Sequence, residues 1–287
     1  MYTIESAGLS DTGKIRKDNE DTLLVDDDMG LYVVADGMGG HRAGEVASQL
    51  VVNSIRDYIQ SCYKDKAAAP SGLADHTLSP AANLILKGII LSNEVVHEAA
   101  KNNDDYHGMG STVAVLYIND GTLVAANVGD SPIFLIHKGQ IDTLSVMHTV
   151  VAEHKAANPE GADQIGAEYN HVLTRAMGTE TTVEANICEV PFFIDDRLVI
   201  SSDGLTDLVS PAEILATVIG HPPKIACQNL VKMANDRGGT DNITVIALQV
   251  IKSGNRQTKL TNLLSRLSRI LRQSLALKKD NGRRRGL

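Results

Sequence analysis

Hydrophobic and polar positions along the chain form a pattern that predicts paired strands interrupted by pairs of helices. Short apolar or alternating runs bounded by Gly, Asn and Asp predict strands, at residues 2–9, 22–25, 31–35, 112–118, 123–128, 133–137, 184–190, 197–201 and 243–250. Apolar residues at helical spacing predict helices, at 43–63, 81–101, 211–219 and 223–235. The polar segments 64–80 and 154–170 predict a surface loop and an irregular flap.

The order of these elements indicates a fold class. Turn signals at residues 119–121 and 138–140 predict two hairpins. Strands joined by hairpins, with helices in pairs between them, favour an α+β fold with mostly antiparallel sheets. The chain has 287 residues and is 43% hydrophobic, so it is long enough for one sizeable domain.

Composition narrows the environment and the partners that we expect. No apolar run approaches the roughly 18–20 residues of a membrane span, and the first residues lack the pattern of a secretory signal. The three cysteines are scattered, which fits neither a disulfide framework nor a zinc site and favours a cytoplasmic location. Trp is absent and aromatic residues are 3% of the chain, so nucleic acid is not an expected partner.

Charge is distributed unevenly between the body and the end of the chain. The net charge is −8, yet residues 251–287 carry about +10, which leaves about −18 on residues 1–250. An acidic body disfavours direct binding to nucleic acid and is compatible with binding cations.

The stretch 31–48, LYVVADGMGGHRAGEVAS, places Asp36 and a glycine-rich bend between a predicted strand and a predicted helix. A dinucleotide fingerprint would need glycine at position 42, which is Arg42, and the chain has no Walker loop. The bend is therefore either a tight turn or a site for a metal ion.

Four aspartates stand at ends of predicted strands, and this pattern favours the metal site. They are Asp36, Asp130, Asp203 and Asp241. If these ends meet, the carboxylates repel one another and their pKa values rise unless cations neutralise them. Carboxylate and carbonyl oxygens suit hard ions such as Mg²⁺ and Mn²⁺, and glycine beside Asp36 allows close approach of a carbonyl. Glu20 and Asp21 add acid nearby, and Arg16 adds a guanidinium that matches a phosphate.

Seven segments, in the same order, resemble the bacterial branch of the metal-dependent Ser/Thr protein phosphatases, the protein phosphatase 2C or PPM family. They are R-x-x-N-E-D, V-A-D-G-M-G-G-H-x-x-G-E-x-A-S, M-G-S-T, N-V-G-D-S, H-V-L-T-R-A-M-G, S-S-D-G-L-T-D and G-G-T-D-N-I-T-V. The resemblance implies an αββα sandwich: two antiparallel β-sheets flanked by helix pairs, with a binuclear metal centre at one end. It covers residues 1–250 as a catalytic domain and leaves 251–287 as a basic tail.

The resemblance also implies roles for individual residues and a reaction. Asp36, Asp203 and Asp241 would hold one Mn²⁺ or Mg²⁺, and Asp36 would bridge to a second ion that also takes the Gly37 carbonyl and, through water, Glu20. Asp130 would hold a third, weaker ion together with Asp203, and Arg16 would clamp the phosphate. A water between two ions would then hydrolyse phosphoserine or phosphothreonine on proteins, opposing Ser/Thr kinases.

Several positions depart from the family pattern. Pro132 and Met147 stand where relatives commonly have Arg and Asp, and Ser111 replaces Thr. Met38 occupies the position of a histidine that protonates the leaving group in some relatives. His41 is a candidate general acid, and a surface histidine in a glycine-rich bend is the competing interpretation. None of these departures removes a predicted metal ligand, which disfavours a non-catalytic phosphoprotein-binding scaffold.

The tail lies outside the resemblance. Its apolar residues fall on one helical face with arginines beside it, at Leu260, Leu263, Leu264, Leu267, Ile270, Leu271 and Leu275. Three interpretations stay open: docking on the acidic body, anchoring at a membrane surface and binding an acidic partner such as a kinase or scaffold. A membrane or partner adaptor that acts through this tail, with catalysis secondary, is a further alternative.

Overall fold

The computed structural model describes residues 2–39, 43–64, 75–119, 121–158, 166 and 169–252. Its strands are β1 Tyr2–Asp11, β2 Asp21–Asp26, β3 Leu31–Met38, β4 Gly110–Ser111, β5 Val113–Asn119, β6 Thr122–Val128, β7 Ile133–His137, β8 Gln140–Thr143, β9 Asn186–Pro191, β10 Arg197–Ser201 and β11 Ile243–Lys252. Its helices are α1 Ala43–Lys64, α2 Pro80–Asn102, α3 Val150–Ala157, α4 Asp203–Thr206, α5 Pro211–Gly220 and α6 Pro223–Asp236, with a 3₁₀ turn at Asp104–Tyr106.

Two sheets form the centre of the large unit, Ile4–Val250. The first sheet has the strand order β1-β11-β10-β7-β8, and the second has β2-β3-β5-β6-β9 with β4 paired to β3. The registered pairs are antiparallel. None of the helices in the described part of the chain combines the length and apolar content of a membrane span.

Each sheet buries one face against helices and the other against the opposite sheet. In β3, Leu31 and Val33 pack in the core under α1 and α2, whereas Tyr32 and Val34 are also fully buried but belong to the other face. Since successive side chains in a strand point to opposite faces, Tyr32 and Val34 face the interior between the sheets. β11 packs its alternate residues under α5 and α6, and β10 contacts both β3 and β5. The predicted four-layer αββα sandwich is confirmed.

Turn chemistry sets the hairpins as the sequence predicts. Asn119 pairs with Thr122 across the turn between β5 and β6. His137 pairs with Gln140 between β7 and β8, and Lys138 and Gly139 both have positive φ, at 49° and 79°. Two consecutive positive-φ residues make a type I′ turn, whose twist matches that of the flanking strands.

The predicted irregular flap at 154–170 is wrong at its start, because α3 continues to Ala157. Residues 159–165 and 167–168 of the flap lie outside the described residues, as do 65–74 of the predicted surface loop. The Thr149 hydroxyl caps α3 by accepting a hydrogen bond from the Ala152 N–H at 3.2 Å. No residue of α3 is buried, so the helix carries no apolar stripe for periodicity to detect.

Other differences involve short elements. β4 and α4 have two and four residues, too few for a repeating pattern. β8 is mostly exposed and lacks an apolar face.

The core under α1 and α2 allows a matched test of the packing. Ile85 on α2 is fully buried, whereas Val95 on the same helix is 43% exposed. We expect Ile85→Ala to lower the free energy of unfolding by about 2–5 kcal/mol, because it removes buried methyl groups and leaves a cavity. Val95→Ala should change it by less than about 0.5 kcal/mol. Urea unfolding followed by circular dichroism measures both, and equal losses would contradict the assigned core.

Candidate metal centre

The strand order brings the predicted site residues to one end of the sandwich. Asp36 and Gly37 lie in the last three residues of β3, and Asp130 follows β6. Asp203 follows β10, and Asp241 precedes β11. Because neighbouring strands are antiparallel, the ends of β3, β6 and β10 meet the starts of β2, β5 and β11. All of these residues, together with Glu20 and Arg16, line one cleft of about 610 Å³.

The end of β3 is fixed by hydroxyl and backbone contacts. The Asp36 N–H donates to the Thr112 Oγ1 at 3.0 Å, and the Asp36 carbonyl accepts from the Thr112 N–H at 2.8 Å. The Ser111 hydroxyl also donates to the Asp36 carbonyl at 2.9 Å. Asp36 therefore has a defined backbone position at the cleft, although its neighbour Gly37 has no side chain to pack.

Gly37 and Gly44 permit a close approach of chain segments at this point. A Cβ atom at Gly37 would lie 2.0 Å from the Gly44 carbonyl oxygen and 2.7 Å from that of Glu20. A Cβ atom at Gly44 would lie 2.5 Å from the Glu20 Oε1. Real side chains do not approach so closely, so both positions require glycine while the Glu20 carboxylate lies against the first turn of α1.

Asn242 fastens the segment that carries Arg16 and Glu20 to the start of β11. Its side-chain NH₂ donates to the carbonyls of Thr12 and Asp18, both at 3.0 Å. Its side-chain oxygen accepts from the Glu20 N–H at 2.8 Å. Asn242 is 4% exposed and also donates its backbone N–H to Asp241. These contacts show that Asn242 shapes the loop at Asp241.

Burial and mutual repulsion raise the pKa values of the carboxyl groups in the cleft. Burial raises the pKa of Asp36 well above its usual range, and the neighbouring Asp21, Asp203 and Asp241 raise it further. Burial and then Asp203 raise the pKa of Asp130 to about 7. Burial likewise raises the pKa of Asp21 to about 6, although hydrogen bonds from Thr244 and Ser202 oppose the shift.

Two buried carboxylate oxygens indicate that cations fit this cleft. The Oε1 of Glu20 and the Oδ1 of Asp203 are buried and have no hydrogen-bond partner among the described residues. A buried, unpaired carboxylate oxygen is costly, because it has lost its hydration without compensation. Oxygen donors crowded in this way suit Mg²⁺ or Mn²⁺, so the residues present fit a metal centre.

Arg16 lies at the edge of the cleft and contacts a predicted ligand. Its NH2 group is 2.8 Å from the Asp241 Oδ2, and its side chain is 48% exposed. The contact neutralises part of the negative charge and uses one end of the guanidinium. The exposed side chain remains within reach of an anion entering the cleft.

Sequence reasoning missed two side chains that line the cleft, His171 and Arg175. Both lie in the H-V-L-T-R-A-M-G segment, which was assigned no role. Short backbone contacts hold this segment: Thr174 N–H donates to the His148 carbonyl at 2.9 Å, and Met177 N–H donates to the Ser111 carbonyl at 2.7 Å. The presence of a histidine and an arginine in that segment was the available signal.

The remaining polar residues near the predicted site either make structural contacts or lie outside the described residues. His41, the candidate general acid, lies outside the described residues. Asp207 is the C-cap of α4, and its carboxylate is 3.7 Å from the His171 Nδ1. Ser201 and Ser202 are fully buried. Ser202 donates to Asp21 at 2.8 Å, so its hydroxyl has a structural role.

Comparison with known proteins decides the family. Residues 11–237 match the family described as Protein phosphatase 2C. The chain belongs to the protein phosphatase 2C family. The serine/threonine phosphatase stp of Listeria welshimeri is 32% identical over 246 residues, which cover 84% of this chain and 93% of that protein. The protein phosphatase PhpP of Streptococcus pneumoniae is 30% identical over 247 residues, covering 84% and 96%.

A solved structure of the same family supports the architecture. The catalytic domain of the phosphatase PstP, in complex with two manganese ions, matches with a TM-score of 0.74 and 26% identity. The match covers 88% of this chain and all of that domain. The family resemblance seen in the sequence is therefore confirmed. The structural match extends over the whole catalytic domain of PstP, whose structure contains two manganese ions.

Among the departures from the family pattern, Met38 lines the cleft, whereas Pro132 and Met147 lie outside its lining. Pro132 is buried at the start of β7, where its carbonyl accepts the Ser201 N–H at 3.2 Å. Met147 is half-buried next to His148. The His148 ring accepts the Gly129 N–H at its Nδ1 and contacts Asn186 through its Nε2 at 2.7 Å, so this loop is well held without an aspartate at 147.

The raised pKa values predict how stability depends on pH. A carboxyl group whose pKa is higher in the folded state stabilises the fold below its unfolded pKa of about 4, and the contribution is lost as pH rises through the folded pKa. For Asp130 this loss ends near a pKa of about 7. Metal binding requires deprotonated carboxylates. We therefore expect the rise in Tm caused by saturating Mn²⁺ to be larger at about pH 7.5 than at about pH 5.5.

Asp130→Asn serves as the control for this measurement, because it keeps the shape of the side chain and removes one titrating group. Thermal unfolding of the metal-free variant should depend less on pH in this range than that of the wild type. If the rise in Tm caused by Mn²⁺ were independent of pH, or became smaller as pH increases, these carboxyl groups would not be the metal ligands.

Proposed function

We propose that Asp36, Asp203 and Asp241 hold one metal ion and that Asp36, the Gly37 carbonyl and, through water, Glu20 hold a second. The observation that carries this assignment is the pair of buried, unpartnered oxygens, on Glu20 and Asp203, inside a cleft lined by all six predicted residues. Asp130 and Asp203 take a third, weaker ion. The chain is thus a metal-dependent protein phosphatase that hydrolyses phosphoserine and phosphothreonine on proteins.

The residues of the cleft have different roles in the reaction. When bound, the two ions, Mn²⁺ or Mg²⁺, supply an activated water and neutralise charge that develops on the phosphate. Arg16 binds phosphate oxygens, because its planar guanidinium matches their geometry and is exposed at the edge of the cleft. The backbone of Asp36 is held by hydrogen bonds to Thr112 and Ser111, so its carboxylate would bind the ions without rearrangement of the chain. In this proposal His41 donates the proton to the leaving group.

The cysteines favour direct hydrolysis over a covalent phosphoenzyme. Burial raises the pKa of Cys227 to about 11 and that of Cys188 above its usual value. Thiols with raised pKa values are poor nucleophiles at neutral pH. Neither residue lines the cleft. A water nucleophile therefore agrees better with this chain than a cysteine does.

Phosphate release from a phosphothreonine peptide tests the proposed function. We expect release that depends on Mn²⁺ and that falls at least about 100-fold in Asp36→Asn, since the variant loses a shared ligand. Asp142→Asn, an exposed aspartate on β8, is the matched control and should retain activity. Folding of each variant is checked by its thermal unfolding.

Two results would contradict the proposal. Retained activity in Asp36→Asn would remove the bridging ligand from the mechanism. Absence of release with any divalent ion, from a folded protein that still binds the phosphopeptide, would instead support the scaffold alternative.

We further propose that residues 1–250 are the catalytic domain and that residues 251–287 set location rather than chemistry. The match to the family ends at Arg237, and the cleft uses no residue beyond Asp241. A chain with this cleft acts in the cytoplasm on substrates of a cognate Ser/Thr kinase. The basic tail, of about +10, would attract it to an anionic membrane surface, with roughly 1 kcal/mol for each basic residue near the surface.

A truncation after Lys252 tests the role of the tail and leaves β11 intact. We expect kcat/KM on a short phosphopeptide to stay within about twofold of the full chain, because every proposed ligand is retained. Cosedimentation with vesicles containing anionic lipid should fall at least about tenfold. If binding to vesicles is unchanged, an acidic protein partner becomes the better interpretation. A large loss of kcat/KM would place the tail in the catalytic unit.

A further inference from the structure

We propose that the end of the sandwich opposite the metal cleft is a membrane-contact surface, which inserts Phe193 and Ile194 into an anionic lipid surface. This role goes beyond the metal centre and rests on the proposed attraction of the basic tail to such a surface. A cavity of about 700 Å³ lies at this end, and we call it the distal cavity. Its lining includes His137, Lys138, Phe193, Ile194, Arg197 and Ile219.

The distal cavity lies about one strand length from the metal cleft. β10 starts at Arg197, in the lining of the distal cavity, and ends just before Asp203 of the cleft. Val250, near the end of β11, is nine positions after Asp241 of the cleft, which at about 3.3 Å per residue is roughly 30 Å. A lipid surface at the distal cavity would therefore leave the metal cleft open to protein substrates.

Exposed apolar side chains cluster around the distal cavity. Ten large hydrophobic side chains are exposed in the described part of the chain, and three of them line this one cavity. They are Phe193, Ile194 and Ile219, with 54%, 45% and 46% exposure. Single exposed apolar residues are normal, whereas a group of them on one surface indicates contact with another molecule or a membrane.

The turn between β9 and β10, which carries two of these side chains, is held firmly by the fold. The buried Asp196 carboxylate accepts the Phe193 N–H at 2.7 Å and contacts the His137 Nδ1 at 2.6 Å. The Asp195 N–H donates to the Val250 carbonyl at 2.8 Å, and the Val250 N–H donates to the Asp196 carbonyl at 2.9 Å. Asp195 has a φ of +74°, which is uncommon outside glycine. Because these contacts fix the turn, the exposure of its apolar side chains is built into the fold.

Basic groups border the apolar side chains and complement an anionic surface. Lys138 is exposed in the turn between β7 and β8 and forms no ion pair with any described residue. Asp195 is the exposed acid of the lining, and Arg197 is near enough to interact with it, which leaves Lys138 unmatched. Residues 1–250 carry about −18, so anionic lipid would be repelled wherever basic groups do not face it.

The basic tail follows in the chain from this same end of the large unit. Val250 is the last residue of that unit and is hydrogen-bonded to the turn between β9 and β10. Residues 251–287 carry about +10 and a predicted apolar helical face, which are the features of a segment that lies in a membrane surface. Two weak contacts on one chain bind more tightly than either alone, because the second becomes intramolecular. The tail and the apolar turn would act as such a pair.

A tryptophan introduced at residue 193 reports directly on insertion, because the chain has no tryptophan of its own. We expect the emission of full-length Phe193→Trp to shift to shorter wavelength when vesicles of phosphatidylcholine with about 30% phosphatidylserine are added. Lipids with brominated acyl chains should quench this emission. Val146→Trp, at a similarly exposed position beyond β8 toward the other end of the sandwich, is the matched control and should show neither effect.

Loss of the apolar side chains measures their contribution to affinity. The full chain with both Phe193→Ser and Ile194→Ser should cosediment with these vesicles at least about tenfold more weakly than the wild type. Val95→Ser combined with Val146→Ser removes similar exposed apolar surface elsewhere and should change binding by less than about twofold. Without vesicles, both double variants should release phosphate from a short phosphopeptide as the wild type does, because none of the four residues lines the metal cleft.

The outcomes separate this surface from the proposed function. If the wild type cosediments with vesicles but Phe193→Trp shows no shift, the tail alone binds the membrane and the proposed surface is wrong. If the serine variant at 193 and 194 binds vesicles normally but changes oligomeric state in analytical ultracentrifugation, the surface joins copies of the chain, which also overturns the proposal. A wild type that does not bind vesicles would overturn both the proposed role of the tail and this surface. Phosphate release would still test the metal centre separately.

Discussion

Repulsion among buried carboxylates at one end of the sandwich is the constraint on which the site depends. Asp21, Asp130, Asp203 and Asp241 all lie near enough to the buried Asp36 to raise the pKa of its carboxyl group. In a flexible loop such groups would separate and regain water. Here the strand ladders fix the ends of β3, β6 and β10, so separation would break backbone hydrogen bonds. The remaining ways to relieve the repulsion are protonation and the binding of cations.

Small polar side chains make this crowding possible. The Thr112 and Ser131 hydroxyls are 2.7 Å apart and lie between the strands that carry Asp36 and Asp130. Ser202 donates to Asp21 and accepts from the Thr244 N–H, so it links the second sheet to the first. Each of these groups is buried and paired, which avoids the cost of an unmet hydrogen bond. The strand ends therefore carry two kinds of polar residue: acids that face the cleft and hydroxyls that hold them.

Sequence patterns predicted the sheets, the two helix pairs and the acids of the cleft, because each leaves a local signal. Buried strands are apolar runs, and an aspartate at the end of such a run is visible without knowing where the run lies. The histidine and arginine of the H-V-L-T-R-A-M-G segment are visible in the sequence, but nothing local places His171 at the cleft. Its Nδ1 lies 3.6 Å from Asp203, a residue 32 positions later in the chain, and only the fold brings the two together. The contact between Arg16 and Asp241 joins opposite ends of the domain and is equally invisible to periodicity.

The two departures at Pro132 and Met147 show why ligand positions tolerate changes nearby. Proline at 132 removes a backbone donor, but the strand resumes at once, because the Ile133 N–H donates to the Ser145 hydroxyl at 3.0 Å. The turn before Asp130 is held from the other side, where Asn127 donates to the Gly129 and Val146 carbonyls. His148 stays buried beside Met147 and keeps both of its ring contacts. Support for the carboxylates of the cleft is thus shared among several hydrogen bonds, so Pro132 and Met147 leave the proposed ligands in place.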